Sequence, residues 1–159
     1  MIRPLSQDDV ARLAAALARL PLLVRYRRSA PQIADDLRAA LERGEGLLVE
    51  ERDGAPRALA WFLRSGTLGV GGYLKLLAVA PEVTGEGIGA ALLAAYEGEV
   101  AKESRNAFLL VSDFNDGAQR FYERHGYVRV GAVPGLVLPD VSELVYWKRL
   151  SSPPRGRGR

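Results

Sequence analysis

Cysteine is absent from this chain of 159 residues, and histidine and methionine each occur once. The absence of cysteine excludes a disulfide framework, a thiolate metal cluster and a cysteine nucleophile. A domain of about 150 residues buries roughly 70% of the surface of its unfolded chain, so a full core can form without such support. We therefore expect a fold without disulfides and a functional site without a metal ion.

Long apolar segments and an excess of one charge are also missing. The longest apolar cluster, Leu76–Pro81, falls far short of the roughly 18 uninterrupted apolar residues of a membrane-spanning helix. The net charge of +3 lies in Arg155, Arg157 and Arg159, because 22 basic residues less these 3 leave 19, which balance 19 acidic ones. A neutral body lacks the basic surface that binds nucleic acid. The first residues also lack a secretory signal pattern, so we expect a cytoplasmic protein with no membrane or nucleic-acid partner.

The composition, with 48% hydrophobic and 26% charged residues, is typical of one globular domain. Residues 151–159 are polar, basic and short of core-forming side chains. We therefore predict one domain over residues 1–150 and a disordered basic tail over residues 151–159.

Helix signals dominate the N-terminal part of the chain. Ser6 followed by Asp9 is a variant of the capping box, and apolar residues at helical spacing continue until Pro21. This pattern predicts a first helix that ends at Pro21, then a basic connector over residues 22–28. A second helix is predicted over residues 29–44.

Alternating and continuous apolar runs then predict a sheet. Strands are predicted over residues 47–51, 58–63, 73–80, 108–112, 127–133 and 144–147, and helices over residues 87–102 and 116–125. The first two of these strands form a hairpin, and strand 73–80 is expected to be buried on both faces. With a strand before the first helix, the order is β, α, α, β, β, β, α, β, α, β, β. This order predicts an α/β fold of the α+β type, with a central mixed β-sheet flanked by helices.

Glycines at alternate positions, Gly85, Gly87 and Gly89, separate strand 73–80 from the next helix. They let the backbone curl with its N–H groups inward, and the helix adds unpaired amides and the positive end of its dipole, which predicts a pyrophosphate cradle. A tight turn without a ligand is the alternative. A dinucleotide fold is excluded because its acidic residue, about 20 positions later, would fall near Arg105, before the next strand begins. No Lys-Ser or Lys-Thr pair follows the glycines, which excludes a Walker-type loop.

Two separated motifs resemble those of the GNAT superfamily of N-acetyltransferases. Residues 77–89 read Leu-Ala-Val-x-Pro and then Thr-Gly-Glu-Gly-Ile-Gly, which is similar to the Q/R-x-x-G-x-G/A coenzyme loop of the superfamily. Residues 115–127 resemble its N-x-x-A-x-x-F/L-Y-x-x-x-G-F/Y segment. The two motifs occur in this order with one helix and one strand between them. The resemblance implies a single GNAT-like domain that uses acetyl-coenzyme A as its cosubstrate.

The resemblance also implies roles for individual residues. The main chain of three strand residues would pair with the pantetheine arm: Leu77, Ala78 and Val79. The pyrophosphate would be held by the amides of Gly85, Glu86, Gly87, Ile88, Gly89 and Ala90. The side chain of Asn115 would bond the pantetheine arm, and Tyr122 would face the sulfur. Thr84 replaces the usual Gln or Arg of the loop, and Leu110 stands where the ribosomal-protein and N-terminal acetyltransferases carry a glutamate base.

Without cysteine, direct attack by a primary amine in a ternary complex is the simplest route of acetyl transfer. The N–H of Val79 is predicted to meet the oxyanion. Tyr122, with an unperturbed pKa of about 10 against about 8.5 for a thiol, is predicted to protonate the leaving thiolate, and the alternative is a core aromatic. Tyr73 and Asp113 are each a candidate general base or a structural residue, and a chain of waters is the third alternative.

For several other residues, a purely structural role is an alternative to a functional one. His125, which precedes Gly126, is predicted to cap a helix, and Trp61 and Trp147 are predicted to lie in the core. The basic group formed by Arg25, Arg27 and Arg28 would receive an acidic acceptor or belong to a solvated loop. The apolar loop Pro134–Asp140 would cover the acceptor or join the subunits of a homodimer.

The acceptor is predicted to be a small molecule or an amino-acid-like amine. The alternative within enzymes is acetylation of protein N-termini or lysines, against which Leu110 speaks. The alternative of another class is a non-catalytic regulatory module that binds coenzyme A, against which Asn115 and Tyr122 speak.

Overall fold

The computed structural model describes residues 1–151, so the tail predicted over residues 151–159 lies, except for Ser151, outside the described residues. Seven strands form one mixed sheet in the order β1-β2-β3-β4-β5-β7-β6. The strands are β1 Ile2–Pro4, β2 Gly46–Arg52, β3 Ala55–Thr67, β4 Gly71–Val79, β5 Asn106–Ser112, β6 Val128–Pro134 and β7 Ser142–Arg149. The helices are α1 Val10–Leu17, α2 Pro21–Arg25, α3 Ala30–Glu42, α4 Ile88–Ala101 and α5 Asp116–Arg124. The predicted fold class is confirmed. No helix among the described residues has the length and apolar character needed to cross a membrane.

The predicted connector over residues 22–28 is wrong at its start, because α2 occupies Pro21–Arg25. Leu20 is the extended N-cap of this helix, and Pro21 lies in its first turn. A proline at that position begins a helix as readily as it ends one, because its missing N–H has no intrahelical partner there in any case. The predicted capping box of Ser6 and Asp9 is present, but it opens a single 3-10 turn before α1.

The chain divides into two compact units. The first comprises residues 1–63 and 75–96, and the second comprises residues 64–74 together with the described residues from Glu97 onward. In the first unit, α1 and α3 pack their apolar faces on β2 and β3. Leu13, Leu37, Val49 and Leu59 are almost fully buried there, since helical spacing and strand alternation direct them to one side.

The β2–β3 hairpin of the first unit turns at two residues, as predicted. Asp53 and Gly54 have φ values of 50° and 69°. Two successive positive φ values define the type I′ turn, whose twist matches that of a hairpin. Farther along the hairpin, Gly46 lies against the ring of Phe62, where a Cβ atom would clash.

In the second unit, the register of β4, β5 and β7 creates two different sheet faces. One face carries buried side chains such as Leu109 and Tyr146. Paired residues on the opposite face are only partly buried: Tyr73 opposite Phe108, Phe108 opposite Trp147, and Leu110 opposite Val145. We name this side the half-buried face. The prediction that strand 73–80 is buried on both faces is therefore wrong, since Tyr73 is half-buried and Lys75 is exposed.

Strand β6 is the last strand of the sheet order, and all seven of its residues are exposed. Its register against β7 shifts between Arg129 and Gly131, which places a bulge at Val130. The strand ends at Pro134. β6 is thus a short, irregular edge strand.

Candidate active site

The predicted cradle lies in the first unit, where β4 leads through a single 3-10 turn and residues 84–87 into α4. The amide of Ala91 donates to the carbonyl of Gly87 at 3.1 Å and closes the first turn of the helix. The amides of Ile88, Gly89 and Ala90 come before this bond, so they belong to the unpaired donors of a helix start. Together with the positive end of the helix dipole, they form a surface suited to an anion.

Two of the three predicted glycines are required by the backbone. Gly85 and Gly87 have φ values of 89° and 76°, which L side chains rarely adopt. A Cβ atom at either position would meet no heavy atom within 4 Å. Conformation rather than crowding therefore selects glycine here, while Gly89 lies inside α4.

Ion pairs along the loop bring in arginines that the sequence analysis did not identify. Arg52 pairs with Glu86 at 3.4 Å, and Arg19 pairs with Glu82. The pKa of Glu82 is lowered by a hydrogen bond from its own amide and then by Arg19, with a smaller effect of Arg57. These arginines precede the loop by 24 or more positions, so no local pattern could have indicated them. They offset the negative charges of Glu82 and Glu86 beside the cradle.

The two departures from the superfamily pattern have local explanations. The hydroxyl of Thr84 donates to the carbonyl of Ala80 at 3.3 Å, so it braces the turn. Leu110 belongs to β5, where it is half-buried opposite Val145.

Strand β4 continues beyond its stretch of parallel pairs with β5. The pairs run from Gly72 opposite Ala107 to Leu74 opposite Leu109. The strand then extends to Val79, and Ala80 after it donates to the carbonyl of Arg57 at 2.8 Å. Residues 77–79 are thus held in an extended conformation.

In the second unit, Asn115 and Tyr122 belong to one helix. Asn115 is the N-cap of α5, and its side-chain oxygen accepts a hydrogen bond from the amide of Ala118 at 3.1 Å. This cap involves the oxygen of the Asn115 carboxamide and not its NH₂ group. Tyr122 follows seven residues later, about two helical turns, which brings it to the same side of the helix.

Tyr122 is 8% exposed, and its ring makes edge contacts with Phe121 and Tyr127 at centroid distances of 5.2 and 5.7 Å. Burial raises the pKa of its hydroxyl well above the usual value. The group therefore keeps its proton at neutral pH and can only donate it.

Neither candidate base has the surroundings of one. Burial and then the negative charge of Glu143 raise the pKa of Tyr73, so its hydroxyl holds its proton at neutral pH. Asp113 accepts a hydrogen bond from the amide of Ser142 at 3.0 Å, which ties the end of β5 to the start of β7.

The remaining predicted residues have structural contacts. His125 is the C-cap of α5. The tryptophans are half-buried rather than in the core: the indole of Trp61 donates to Glu45, and that of Trp147 to Asn106 at 3.0 Å. Arg28 pairs with Asp36, which orders that part of the basic group.

The loop Pro134–Asp140 is closed at its base, where the amide of Gly135 donates to the carbonyl of Val141 at 2.9 Å. Leu136 and Val137 are exposed at its surface. Among the described residues, no group of three or more His, Cys, Asp or Glu side chains could hold a metal ion.

Comparisons with known proteins place this chain in the class of coenzyme A-dependent acyltransferases. The sequence model of the Acetyltransferase (GNAT) family matches residues 14–127, more than half of the chain. The chain therefore belongs to the GNAT acetyltransferase family. It is an N-acetyltransferase that uses acetyl-coenzyme A. A search of curated protein sequences finds no significant relative.

Solved structures share the fold at low identity. Ard1 from Thermoplasma volcanium is 22% identical with a TM-score of 0.78, and the match covers 96% of this chain and 98% of that one. An aminoglycoside 6'-N-acetyltransferase complexed with coenzyme A is 16% identical with a TM-score of 0.77, over 97% and 99% of the two chains. Ribosomal-protein-alanine N-acetyltransferase from Brucella melitensis is 20% identical with a TM-score of 0.72, over 94% and 99%. Their acceptors differ, so the shared fold does not define an acceptor.

Proposed function

We propose that this protein transfers the acetyl group of acetyl-coenzyme A to a primary amine of a small molecule or amino-acid-like acceptor, by direct attack in a ternary complex. The observation that carries the proposal is the cradle, in which Gly85 and Gly87 adopt glycine-specific φ values just before the free amides of α4. The absence of cysteine removes the usual thiol carrier of an acyl-enzyme and favours direct transfer.

The residues of the cradle fit the chemistry of the coenzyme. Amides from Gly85 to Ala90 would hold the pyrophosphate, since a helix N-terminus favours a bound anion. The extended main chain of residues 77–79 would pair with the pantetheine arm, as an added strand does. The NH₂ group of Asn115 would donate to a carbonyl of that arm. When bound, the coenzyme supplies the activated acetyl group as a thioester.

Tyr122 would act as the general acid. As the amine nitrogen bonds to the acetyl carbon and the carbon–sulfur bond breaks, the hydroxyl would donate its proton to the departing thiolate. The nitrogen would lose its extra proton to water to become the neutral amide, and water would return a proton to the tyrosinate. The hydroxyl is protonated at neutral pH, as a general acid must be, although its raised pKa makes it a weaker acid than an exposed tyrosine. The N–H of Val79 would stabilise the oxyanion formed in between.

The acceptor must lose a proton before it attacks. An alkylamine with a pKa near 10.4 is under about 0.1% neutral at pH 7, whereas an α-amine with a pKa near 8 is about one tenth neutral. Because Tyr73 holds its own proton, we propose that water carries the proton of the amine away.

An amine panel tests the proposal by the release of free coenzyme A, detected with a thiol reagent. The chain has no cysteine, so the reagent reports only the product thiol. Turnover with small amines and amino acids is the expected result. Turnover with N-terminal or lysine peptides alone would favour protein acetylation, and coenzyme binding without any turnover would favour a regulatory module.

A further inference from the structure

The second unit contains a recess outside the predicted site residues. Its volume is about 280 Å³, and it is lined by Thr67, Leu68, Tyr73, Phe108, Leu109, Leu110 and Val145. No charged side chain lines it, and its polar side-chain groups are the hydroxyls of Thr67 and Tyr73. Small-molecule sites have this character, with mostly apolar walls and a few polar groups.

The register of the strands explains the recess. Tyr73, Phe108, Leu110 and Val145 project from the half-buried face, where neighbouring strands align their side chains in rows. Beyond Val145, the next strand presents Gly131, whose missing side chain leaves open space. The recess lies against the apolar side chains of this row.

The rim of the recess is held in an unusual conformation. Leu68 has a φ of 51° and is 79% exposed. A bulky residue with positive φ is uncommon, because its Cβ crowds the backbone. The turn around it is fixed, since the carbonyl of Val70 accepts from Asn106 at 2.9 Å and the amide of Val70 donates to Thr67 at 2.9 Å. The fold thus keeps an apolar side chain exposed beside an apolar hollow.

A buried carboxylate lies on the same face, one cross-strand pair beyond the recess. Ser112 stands opposite Glu143, directly after the pair of Leu110 and Val145 in this row. Glu143 is 6% exposed, and the hydroxyl of Ser112 lies 3.2 Å from both carboxylate oxygens. Residues two apart on a strand are separated by about 7 Å, which is within the reach of a short amine.

We propose that this recess binds the apolar body of the acceptor and that Glu143 attracts its ammonium group. The acceptor class is then a primary monoamine with a compact aryl or branched alkyl group, of the arylalkylamine type. This inference rests on the proposed function and names its substrate class. A polyamine or amino sugar is disfavoured, because an apolar wall offers no partner to a second ammonium group.

Substrate selectivity provides the first test. We compare 2-phenylethylamine with spermidine and kanamycin at saturating acetyl-coenzyme A. The expected kcat/KM for 2-phenylethylamine is at least about tenfold higher. Equal or better turnover of the polycations would overturn the acceptor class and leave the proposed function standing.

A polar substitution in the recess provides the second test. Leu110→Gln should raise the KM for 2-phenylethylamine by about tenfold or more, because a buried amide replaces an apolar contact. Leu48→Gln changes a half-buried leucine on β2 of the first unit and serves as the matched control. Coenzyme affinity should be unchanged in both variants. An equal KM effect of the two substitutions would contradict the recess.

The role of Glu143 is tested with a charged and a neutral ligand of the same shape. Direct calorimetric binding of 2-phenylethylamine and 2-phenylethanol gives an affinity ratio for each protein. We expect the amine to bind about tenfold more tightly, and Glu143→Gln to bring the ratio close to one. A purely structural Glu143 would change both affinities together and leave the ratio as it was.

Direct binding measurements also distinguish a failure of the proposed function from a failure of the acceptor recess. If no amine in the panel releases coenzyme A, the proposed function fails. Binding of 2-phenylethylamine that is lost in Leu110→Gln but kept in Leu48→Gln would still support the recess. Absence of that binding in the wild-type protein would overturn it.

Discussion

At the scale of single residues, the role proposed for the hydroxyl of Tyr122 lets coenzyme binding be tested separately from chemistry. Tyr122→Phe keeps the ring between Phe121 and Tyr127, so coenzyme affinity should be unchanged. The turnover number should fall by about 10²-fold or less, because a thiolate is already a fair leaving group. Single-turnover rates and direct binding measure the two effects independently of product release.

The matched control is Tyr127→Phe, the same change in a neighbouring buried tyrosine. We expect this variant to keep the parental rate. The pH profile gives a second readout: because the pKa of Tyr122 is raised, the wild-type rate should persist well into alkaline pH, and that limb should change in Tyr122→Phe. Parental rates in Tyr122→Phe at every pH would make it a packing residue.

The N-terminal ion pair is a second residue-scale feature, and it predicts a pH dependence of stability. Asp9 is 3% exposed and lies 2.7 Å from Arg3, whose hydrogen bond lowers the pKa of Asp9 most, followed by bonds from Ser6. A depressed pKa stabilises the folded state above the unfolded value of about 3.9 and loses this contribution as pH falls below it. Asp9→Asn should therefore lower the free energy of unfolding by about 2 kcal/mol at pH 7.

Denaturant unfolding at several pH values checks this prediction. The difference between Asp9→Asn and the wild-type protein should begin to narrow below about pH 4, where the Asp9 carboxyl of the unfolded chain takes up a proton while that of the folded protein stays ionised. Asp8→Asn removes an exposed carboxylate from the same turn and serves as the control. A constant difference between Asp9→Asn and wild type down to pH 2 would contradict the assignment.

At the scale of elements, the proposed coenzyme loop depends on the backbone conformation of its glycines. Gly87→Val places a branched side chain at a φ of 76°, so the loop should rearrange and coenzyme binding should be lost. Calorimetry with coenzyme A measures this. Gly98→Val, at an exposed position in α4 where a Cβ would meet no atom within 4 Å, is the control. Wild-type affinity in Gly87→Val would refute the cradle.

Helix α3 illustrates a stabilising cap. The hydroxyl of Ser29 accepts from the amide of Gln32 at 3.3 Å, and the side chain of Gln32 accepts from the amide of Ser29 at 3.0 Å. Ser29→Ala should lower the free energy of unfolding by about 1 kcal/mol. Ser65→Ala, at an exposed position of β3, should have little effect. Equal stability of both variants would show that the cap contributes nothing.

Elements whose signals are local were predictable from the sequence. The capping residues gave α3, and the Asp53-Gly54 turn gave the hairpin. The sequence predicted a strand before the first helix but not the bounds of that strand. The three residues of β1 form a strand only by pairing with β2, which lies far along the chain. α2 was missed because Pro21 is compatible with either end of a helix.

At the scale of the whole molecule, the site also has a part with a local sequence signal and parts that depend on long-range contacts. The cradle is contiguous in sequence and was predictable as a motif. The arginines beside it and the recess were not predictable, because Arg19 and Arg52 reach the loop, and residues between 67 and 145 form the recess, only after folding. In the function proposed for this chain, acceptor recognition therefore depends on long-range register, while coenzyme binding depends on a local motif.

Strand β6 has a consequence for the behaviour of the protein in solution. An edge strand with exposed valines, here Val128, Val130 and Val133, offers a template for pairing with another chain and thus for aggregation. The bulge at Val130, the charge of Arg129 and the terminal Pro134 each interrupt that template. These three features should weaken pairing at this edge, so we expect their removal to lower the concentration at which the protein stays monodisperse.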